Sequence, residues 1–366
     1  MAKRIIISGG GTGGHIFPAI AIANALKKLD ANTEILFVGA KGRMEMEKVP
    51  AAGYKIIGLD IQGFQRSSLL KNLLLPIKIL GSVIKSIKII KDFRPHAVVG
   101  VGGYASGPLL YAATLMKIPY LIQEQNSYAG ITNKFLAKSA QKICVAFDKM
   151  EAFFPSDKII KTGNPVRKDA IAIANKRDEA LAFFELNPDQ KIIFVVGGSL
   201  GAGTLNNCLM ADLNQLQTAN VQVIWQTGKY YYKGIIERFG NQPKNSGIRI
   251  YEFLNRMDLA FAAADVIISR AGAGTIAELC LVNKPVLLVP SPNVAEDHQA
   301  KNANALVSKN AAVLISDNHA EAELIDQTLK LLNDETLMKT LAQNISALGL
   351  PNADEHIAQE VIKIAL

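Results

Sequence analysis

The sequence predicts an α/β protein built from two doubly wound parallel-sheet domains. Three observations carry that prediction. Short β-branched runs alternate with helical patterns along the chain, as in parallel sheets whose strands are joined by crossover helices. The rhythm begins afresh near residue 191. Glycine clusters at residues 9–14 and 197–203 follow the first strand of each half, where strand turns into helix. A length of 366 residues suits two domains, each with its own core.

In the first half the expected strands are 3–8, 33–38, 54–58, 96–101, 119–122 and 142–146. In the second they are 191–196, 221–225, 248–251, 265–268, 285–289 and 312–315. The join is placed at Lys161-Thr162-Gly163-Asn164-Pro165, where glycine and proline interrupt the pattern. The expected domains are residues 1–163 and 164–350, and residues 351–366 form a closing helical segment with no strand after it.

Composition is that of a globular protein, 49% hydrophobic and 20% charged, with no internal repeat. Cys144, Cys208 and Cys280 are far apart in apolar surroundings. That is neither a disulfide framework nor a metal cluster, and it suits a reducing cytosol. The start, Met-Ala-Lys-Arg, leads straight into the first strand, so no signal peptide is expected. Charge is uneven. Residues 1–161 carry 22 Lys/Arg against 10 Asp/Glu, and the remainder 18 against 22. An anionic partner is therefore expected for the first half. Without a helix-turn-helix, zinc-finger or RNP-type signature, nucleic acid is not the expected one.

Segment 69–91 is a candidate for that contact. Lys71, Lys78 and Lys85 recur every seven residues on one helical face, and leucines and isoleucines fill much of the rest. The lysines rule out a transmembrane span. A basic amphipathic helix on an anionic bilayer and a crossover helix with solvated lysines both fit. The apolar excess and the basic surroundings favour membrane contact.

The first glycine cluster, Gly9-Gly10-Gly11-Thr12-Gly13-Gly14-His15, lies between the strand 3–8 and a helix. Such a turn can present bare N–H groups to an anion at the positive end of a helix dipole. Gly102-Gly103-Tyr104-Ala105-Ser106-Gly107-Pro108 follows the strand 96–101 in the same way, and Gly197-Gly198-Ser199-Leu200-Gly201-Ala202-Gly203 opens the second half. None ends in the Gly-Lys-Ser/Thr of a P-loop. The acidic residue of a dinucleotide site is also missing, with Phe37-Val38-Gly39-Ala40 in its place, so no nicotinamide cofactor is expected. After the strand 265–268, Ser269-Arg270-Ala271-Gly272-Ala273-Gly274-Thr275-Ile276-Ala277-Glu278 reads as a further phosphate seat. Glu278, one turn into the helix, could accept from a ribose diol. Asp297 could cap a helix carrying Gln299 and Asn302, with Gln299 suited to a sugar hydroxyl.

Six of these segments, in order, give the chain a resemblance. They are Gly10-Gly11-Thr12-Gly13-Gly14-His15, Gly102 to Pro108, Gln123-Glu124-Gln125-Asn126, Gly163-Asn164-Pro165-Val166-Arg167, Gly197-Gly198-Ser199 and Glu296-Asp297-His298-Gln299. Together the chain resembles the bacterial N-acetylglucosaminyltransferases of peptidoglycan synthesis, in glycosyltransferase family 28. The resemblance implies a GT-B fold, two Rossmann-like domains facing across a cleft, with the last helix packing back on the first domain. It implies transfer of N-acetylglucosamine (GlcNAc) from UDP-GlcNAc to the C4 hydroxyl of N-acetylmuramic acid (MurNAc) in lipid I, undecaprenyl-diphosphoryl-MurNAc-pentapeptide. The product is lipid II, made at the cytoplasmic face of the inner membrane.

The resemblance also assigns residues. Thr12, Gly13 and Gly14 fall beside the donor sugar and the acceptor diphosphate, and Asn126 at the GlcNAc. Arg167 and Ser199 fall at the nucleotide and its phosphates, and the backbone of Leu254 at the uracil. Ala273, Gly274, Thr275, Ile276, Ala277 and Glu278 form the phosphate and ribose segment, and Gln299 meets sugar hydroxyls. Gly103, Tyr104 and Gln123 are expected on the acceptor side. The family commonly has histidine where this chain has Gln123, and glutamine cannot titrate near neutral pH. A base must take the hydroxyl proton, and His15 is the expected one, since a helix N-terminus favours the neutral imidazole that a base needs. No Asp-x-Asp triplet is present, so no protein-held metal and no cofactor are expected. A related transferase acting on diacylglycerol and a non-catalytic nucleotide-sugar-binding subunit are the competing readings.

Overall fold

The structure is a computed structural model and describes residues 2–63, 74–239 and 247–366. The chain forms two compact units, Met1–Val166 with Pro351–Leu366, and Arg167–Leu350.

The first unit holds strands β1 (Arg4–Ser8), β2 (Glu34–Ala40), β3 (Lys55–Leu59), β4 (Ala97–Gly100), β5 (Tyr120–Glu124), β6 (Lys142–Val145) and β7 (Ile159–Lys161). All pair in parallel, in the order β3-β2-β1-β4-β5-β6-β7. Helices α1 (Gly13–Leu29), α2 (Glu45–Ala51), α3 (Leu75–Phe93), α4 (Ser106–Leu115) and α5 (Ile131–Leu136) connect them. The central strand reads Arg-Ile-Ile-Ile-Ser because both faces of a parallel sheet are covered. Ile6 packs in one layer with Ile89, Leu109 and Leu110 of α3 and α4. Ile5 and Ile7 point the other way, into a layer with Ile22 and Leu26 of α1. The short strand β7 is not apparent in the sequence. Only Ile159, Ile160 and Lys161 pair with β6, and the glycine and proline just beyond read as linker.

The second unit repeats the plan with β8 (Ile192–Val196), β9 (Gln222–Gln226), β10 (Ile248–Tyr251), β11 (Val266–Ser269), β12 (Val286–Leu288) and β13 (Val313–Leu314), in the order β10-β9-β8-β11-β12-β13. Its helices are α6 (Arg177–Phe184), α7 (Gly203–Thr218), α8 (Tyr232–Phe239), α9 (Met257–Ala263), α10 (Ala273–Val282), α11 (His298–Val307), α12 (Ala320–Leu332) and α13 (Glu335–Ser346). The final helix, α14 (Ala353–Ile364), leaves this unit and packs on α1 in the first. Its Ile357, Ala358 and Val361 are fully buried in the layer of Ile5 and Ile7.

Both sheets reverse their winding beside their first strand. The reversal lies between β1 and β4 in one unit and between β8 and β11 in the other. Loops diverge at such a point, leaving a crevice at the carboxyl ends of the strands, where open α/β sheets bind ligands. Glycine clusters 9–14 and 102–107 leave β1 and β4, and segments 197–203 and 270–274 leave β8 and β11.

Helix α3 accounts for the described part of the segment expected at 69–91; Lys71 and Leu73 lie outside the described residues. Val83, Ile89 and Ile90 are buried against the domain, but two serines share that side and three large apolar residues lie outside it. Ser82 and Ser86 are buried toward the domain, whereas Ile77, Leu80 and Ile84 are 68%, 62% and 60% exposed. Ser86 Oγ donates back to the Ser82 carbonyl at 2.8 Å, which satisfies a hydroxyl facing the interior. Lys78 and Lys85 are not freely solvated. Lys85 Nζ donates to the Gly58 carbonyl at 2.7 Å, and Lys78 Nζ lies 3.6 Å from Asp60.

Candidate functional site

At the first unit's switch point two glycine loops interlock. Gly11, Gly102 and Gly103 have φ of +86°, +95° and +88°, which side-chain-bearing residues rarely adopt. A Cβ on Gly103 would strike the Gly10 carbonyl, and one on Gly102 would lie 2.6 Å from His15 Cδ2 and 2.8 Å from Nε2. The loops therefore touch backbone to backbone, and the His15 ring lies along the bare edge of Gly102. Ser106 Oγ clamps the second loop by donating to the Ser8 and Gly102 carbonyls at 3.0 and 2.8 Å.

His15 is half-buried in the first turn of α1, while Thr12 and Gly14 are exposed beside it. His15 Nδ1 lies 3.2 Å from the Gly10 carbonyl oxygen and 3.3 Å from Thr12 Oγ1. Its backbone N–H is donated to the Thr12 carbonyl at 3.1 Å. Tyr104 is 47% exposed, and its ring lies beside Gly11 and Gly63.

The loop after β5 is built around a carboxyl that sequence reasoning passed over. Glu124 is buried and accepts the Asn126 N–H at 3.1 Å, the Gly130 N–H at 3.1 Å and Asn133 Nδ2 at 2.8 Å. Burial raises its carboxyl above the usual carboxylate range, and these donors pull it back. Asn126, expected at the sugar, is thereby fixed in a half-buried position. Gln123 is placed differently from a contact residue. It is fully buried, donating to Asn164 Oδ1 at 2.9 Å and meeting the Gln125 amide, while Asn164 Nδ2 donates to the Gln125 carbonyl. Gln125 Nε2 also donates to the Val101 carbonyl at 2.7 Å, so side-chain amides and backbone fill this place without a titrating ring.

In the second unit Ser199 lies exposed on the loop between β8 and α7. That loop packs against the turn after β9 so closely that a Cβ on Gly201 would strike the Thr227 carbonyl. Ala273, Gly274, Thr275, Ile276 and Ala277 open α10 directly after the loop that leaves β11, and the Ile276 N–H is given to the Gly272 carbonyl at 2.9 Å. Glu278 follows and pairs with Arg167, Nε to Oε1 at 3.1 Å. Burial raises the Glu278 carboxyl and Arg167 opposes that rise. The two residues expected at the nucleotide thus already touch.

Gln299 braces the neighbouring loops. Its Oε1 accepts the Ala271 N–H at 3.2 Å and the Ser291 N–H at 2.9 Å. Both donors are backbone, so the oxygen is committed and the amide nitrogen is left to donate elsewhere. Leu254 is buried, and its N–H is given to Gln226 Oε1 at 2.9 Å. Asp297 occupies the N-cap position of α11 with φ of +53°, and its side chain accepts none of the helix N–H groups. Arg270 was not singled out in the sequence. It donates to the Val289 carbonyl at 3.0 Å and pairs with Asp317, which also accepts from Thr204 Oγ1, tying three loops together.

Burial pushes the Cys144 and Cys280 thiols up to about 12 and Cys208 up to about 11, so none is a nucleophile near neutral pH. Among the described residues, no group of three or more His, Cys, Asp or Glu is arranged to hold a metal ion.

Comparison with known proteins agrees with this fold. Residues 5–145 match the glycosyltransferase family 28 N-terminal domain, and residues 192–358 match the glycosyltransferase family 28 C-terminal domain. A Bacteroides thetaiotaomicron protein is 57% identical over 363 residues, covering 99% of this chain and 98% of its own. A Parabacteroides distasonis protein is 55% identical over 361 residues, covering 99% and 98%. Both are named UDP-N-acetylglucosamine–N-acetylmuramyl-(pentapeptide) pyrophosphoryl-undecaprenol N-acetylglucosamine transferase. Among solved structures, Acinetobacter baumannii MurG is similar with a TM-score of 0.81 at 31% identity, covering 99% of each chain. The glycosyltransferase of kitacinnamycin shares the fold, at TM-score 0.72 and 12% identity. With two doubly wound parallel-sheet domains of GT-B type and matches spanning nearly its whole length, the chain belongs to glycosyltransferase family 28.

Proposed function

We propose that this chain transfers GlcNAc from UDP-GlcNAc to the C4 hydroxyl of MurNAc in lipid I, forming lipid II with inversion at the anomeric carbon. The acceptor oxygen attacks C1 of GlcNAc. The bond from C1 to the diphosphate oxygen breaks, and UDP leaves with the electron pair. The hydroxyl proton passes to His15 Nε2. The observation that carries this reading is the placement of His15 at the first domain's switch point, half-buried beside two interlocking glycine loops. A positioned imidazole contributes roughly 10²–10⁴-fold as a general base.

Thr12, Gly13 and Gly14 hold the acceptor diphosphate, with Gly103 and Tyr104 beside it. Gln123 supports that region from beneath through Gln125 and Asn164. Asn126 meets the GlcNAc. Ser199 and the first turn of α10 receive the UDP phosphates, stabilising the leaving group with N–H groups and the helix dipole. Arg167 and Glu278 take phosphate and ribose, the Gln299 amide nitrogen donates to a sugar hydroxyl, and the Leu254 carbonyl reads the uracil. No protein-held metal takes part.

The enzyme acts at the cytoplasmic face of the inner membrane as a peripheral protein, supplying peptidoglycan for cell shape and division. Among the described residues no helix is long and apolar enough to cross a membrane. The exposed Ile77, Leu80 and Ile84 of α3, Tyr111 and Leu115 of α4, and Ile131 and Phe135 of α5 support contact with an anionic bilayer. These helices pack in sequence, α3 on α4 and α4 on α5.

Transfer of radiolabelled GlcNAc, with lipid I or diacylglycerol as acceptor, tests the reading. Label is expected in lipid II alone, at an undiminished rate in chelator. His15→Ala should lower kcat at least about 100-fold with little change in KM for UDP-GlcNAc. Transfer to diacylglycerol instead, or unchanged kcat in His15→Ala, would reject acceptor or base respectively.

A further inference from the structure

The first glycine loop already holds a carboxyl of its own. Glu45, the first residue of α2, is fully buried beneath the loop. Its Oε2 accepts the Gly11 N–H at 3.0 Å and its Oε1 accepts the Ala40 N–H at 3.0 Å. Two glycines make room for it. A Cβ on Gly10 would strike Glu45 Oε1, and one on Gly39 would lie 2.6 Å from Glu45 Cγ. Gly10 therefore serves Glu45, and the Gly11 N–H is taken before any ligand arrives.

Gly11 N–H and Gly10 C=O belong to one peptide unit. A trans peptide directs its N–H and C=O to opposite sides. Here the N–H points to Glu45, and the C=O points to His15 Nδ1 at 3.2 Å. A single peptide plane thus links a buried carboxyl to the imidazole. A carbonyl oxygen can only accept, so this contact places the proton of the neutral ring on Nδ1. The second partner, Thr12 Oγ1 at 3.3 Å, is a hydroxyl and can accept as well. Nε2 is then unprotonated. Were the peptide to turn over, an N–H would face Nδ1, the proton would move to Nε2, and the ring could not act as a base from that nitrogen.

We propose that Glu45 is a positioning residue for His15, acting through the Gly10–Gly11 peptide to fix the ring and its Nδ1–H tautomer. The proposal rests on the reading of His15 as the base. The carboxyl holds the peptide against rotation and polarises it, which strengthens its carbonyl as an acceptor. A buried carboxyl orienting a catalytic imidazole is familiar as a direct contact; here a backbone amide stands between them. Glu45→Gln keeps the shape but replaces one of two accepting oxygens with an NH2, which opposes one of the two N–H groups.

The test joins a spectroscopic and a kinetic readout on the full chain. Nitrogen-15 NMR of labelled histidine, with His15 assigned by its loss in His15→Ala, should show the Nδ1–H tautomer in the wild type. In Glu45→Gln that signal should shift toward the Nε2–H form, and kcat should fall about tenfold or more with KM for UDP-GlcNAc within about twofold. In a His15→Ala background the same substitution should lower kcat less than about twofold. An Nε2–H tautomer in the wild type, an unchanged tautomer in Glu45→Gln, or an equal loss of kcat in both backgrounds would overturn the proposal. If Glu45→Gln does not fold, Glu45→Asp replaces it, with a smaller loss of kcat expected only when His15 is present. Unchanged kcat in His15→Ala would reject the base itself, and the tautomer measurement would still report whether Glu45 sets the ring.

Discussion

Individual residues divide into those whose chemistry shows in the sequence and those whose burial gives them a task. His15 and Glu278 belong to the first kind, because a histidine follows a glycine run and Glu278 follows a small-residue loop that reads as a phosphate seat. Glu45 and Glu124 belong to the second. Met-Glu-Met-Glu-Lys reads as a solvated charge run, yet Glu45 is fully buried under the loop. Nothing in the sequence separates it from Glu47, its exposed neighbour two residues on. The Arg167–Glu278 pair makes a prediction at this scale. Burial raises the Glu278 carboxyl and Arg167 holds it down, so Arg167→Ala should leave it protonated to higher pH. A carboxylate is the better acceptor for a ribose diol, so affinity for UDP-GlcNAc should rise with pH through the Glu278 titration. That rise should move to higher pH in Arg167→Ala, and KM at neutral pH should increase about tenfold, since charged hydrogen bonds contribute about 1.5–3 kcal/mol. A KM–pH profile parallel to that of the wild type would reject the coupling.

At the scale of elements, β-branched runs and glycine turns made eleven expected strands and their loops legible at close to their observed bounds, and β13 as a shorter pair. The strand β7 escaped because three residues carry too little pattern to stand out from a linker. Helix α3 shows how a periodic pattern can leave the buried side ambiguous. Its apolar residues cover more than one face, and packing turns Ser82 and Ser86 inward and Ile77, Leu80 and Ile84 outward. Exposed side chains contribute little to folding, so Ile77→Ser, Leu80→Ser and Ile84→Ser combined should leave the fold intact. Each forfeits up to about 1.5–3 kcal/mol of apolar burial on a bilayer. Sedimentation with anionic vesicles should show at least about a tenfold loss of binding, with turnover of a short-chain soluble acceptor retained. Undiminished vesicle binding would remove α3 from the membrane face.

At the scale of the whole molecule, the chain returns to its first unit after completing the second. Residues Pro351–Leu366 cluster with Met1–Val166, and α14 packs on α1, β4 and β5 in the apolar layer that also holds Ile5 and Ile7. Ile357 is fully buried there. Ile357→Ala should destabilise the first unit by about 2–5 kcal/mol through lost transfer energy and the cavity left behind. Calorimetry should show one transition lowered and the other, which UDP-GlcNAc raises, unmoved. A shift in the UDP-GlcNAc-sensitive transition would assign the last helix to the second unit's stability.

The sequence by itself determined the α/β class, two domains, the glycine-marked loops and the family. These depend on local periodicity and on backbone angles that only glycine tolerates, and both are written in neighbouring residues. Tertiary structure decided which strands adjoin, and so where the winding reverses, because strand order depends on contacts between residues far apart in the chain. It also decided which of many similar carboxyls are buried. Glu45 and Glu124 owe their roles to the side chains and backbone packed around them. Desolvation and hydrogen bonding act through space, and spacing along the chain does not record them.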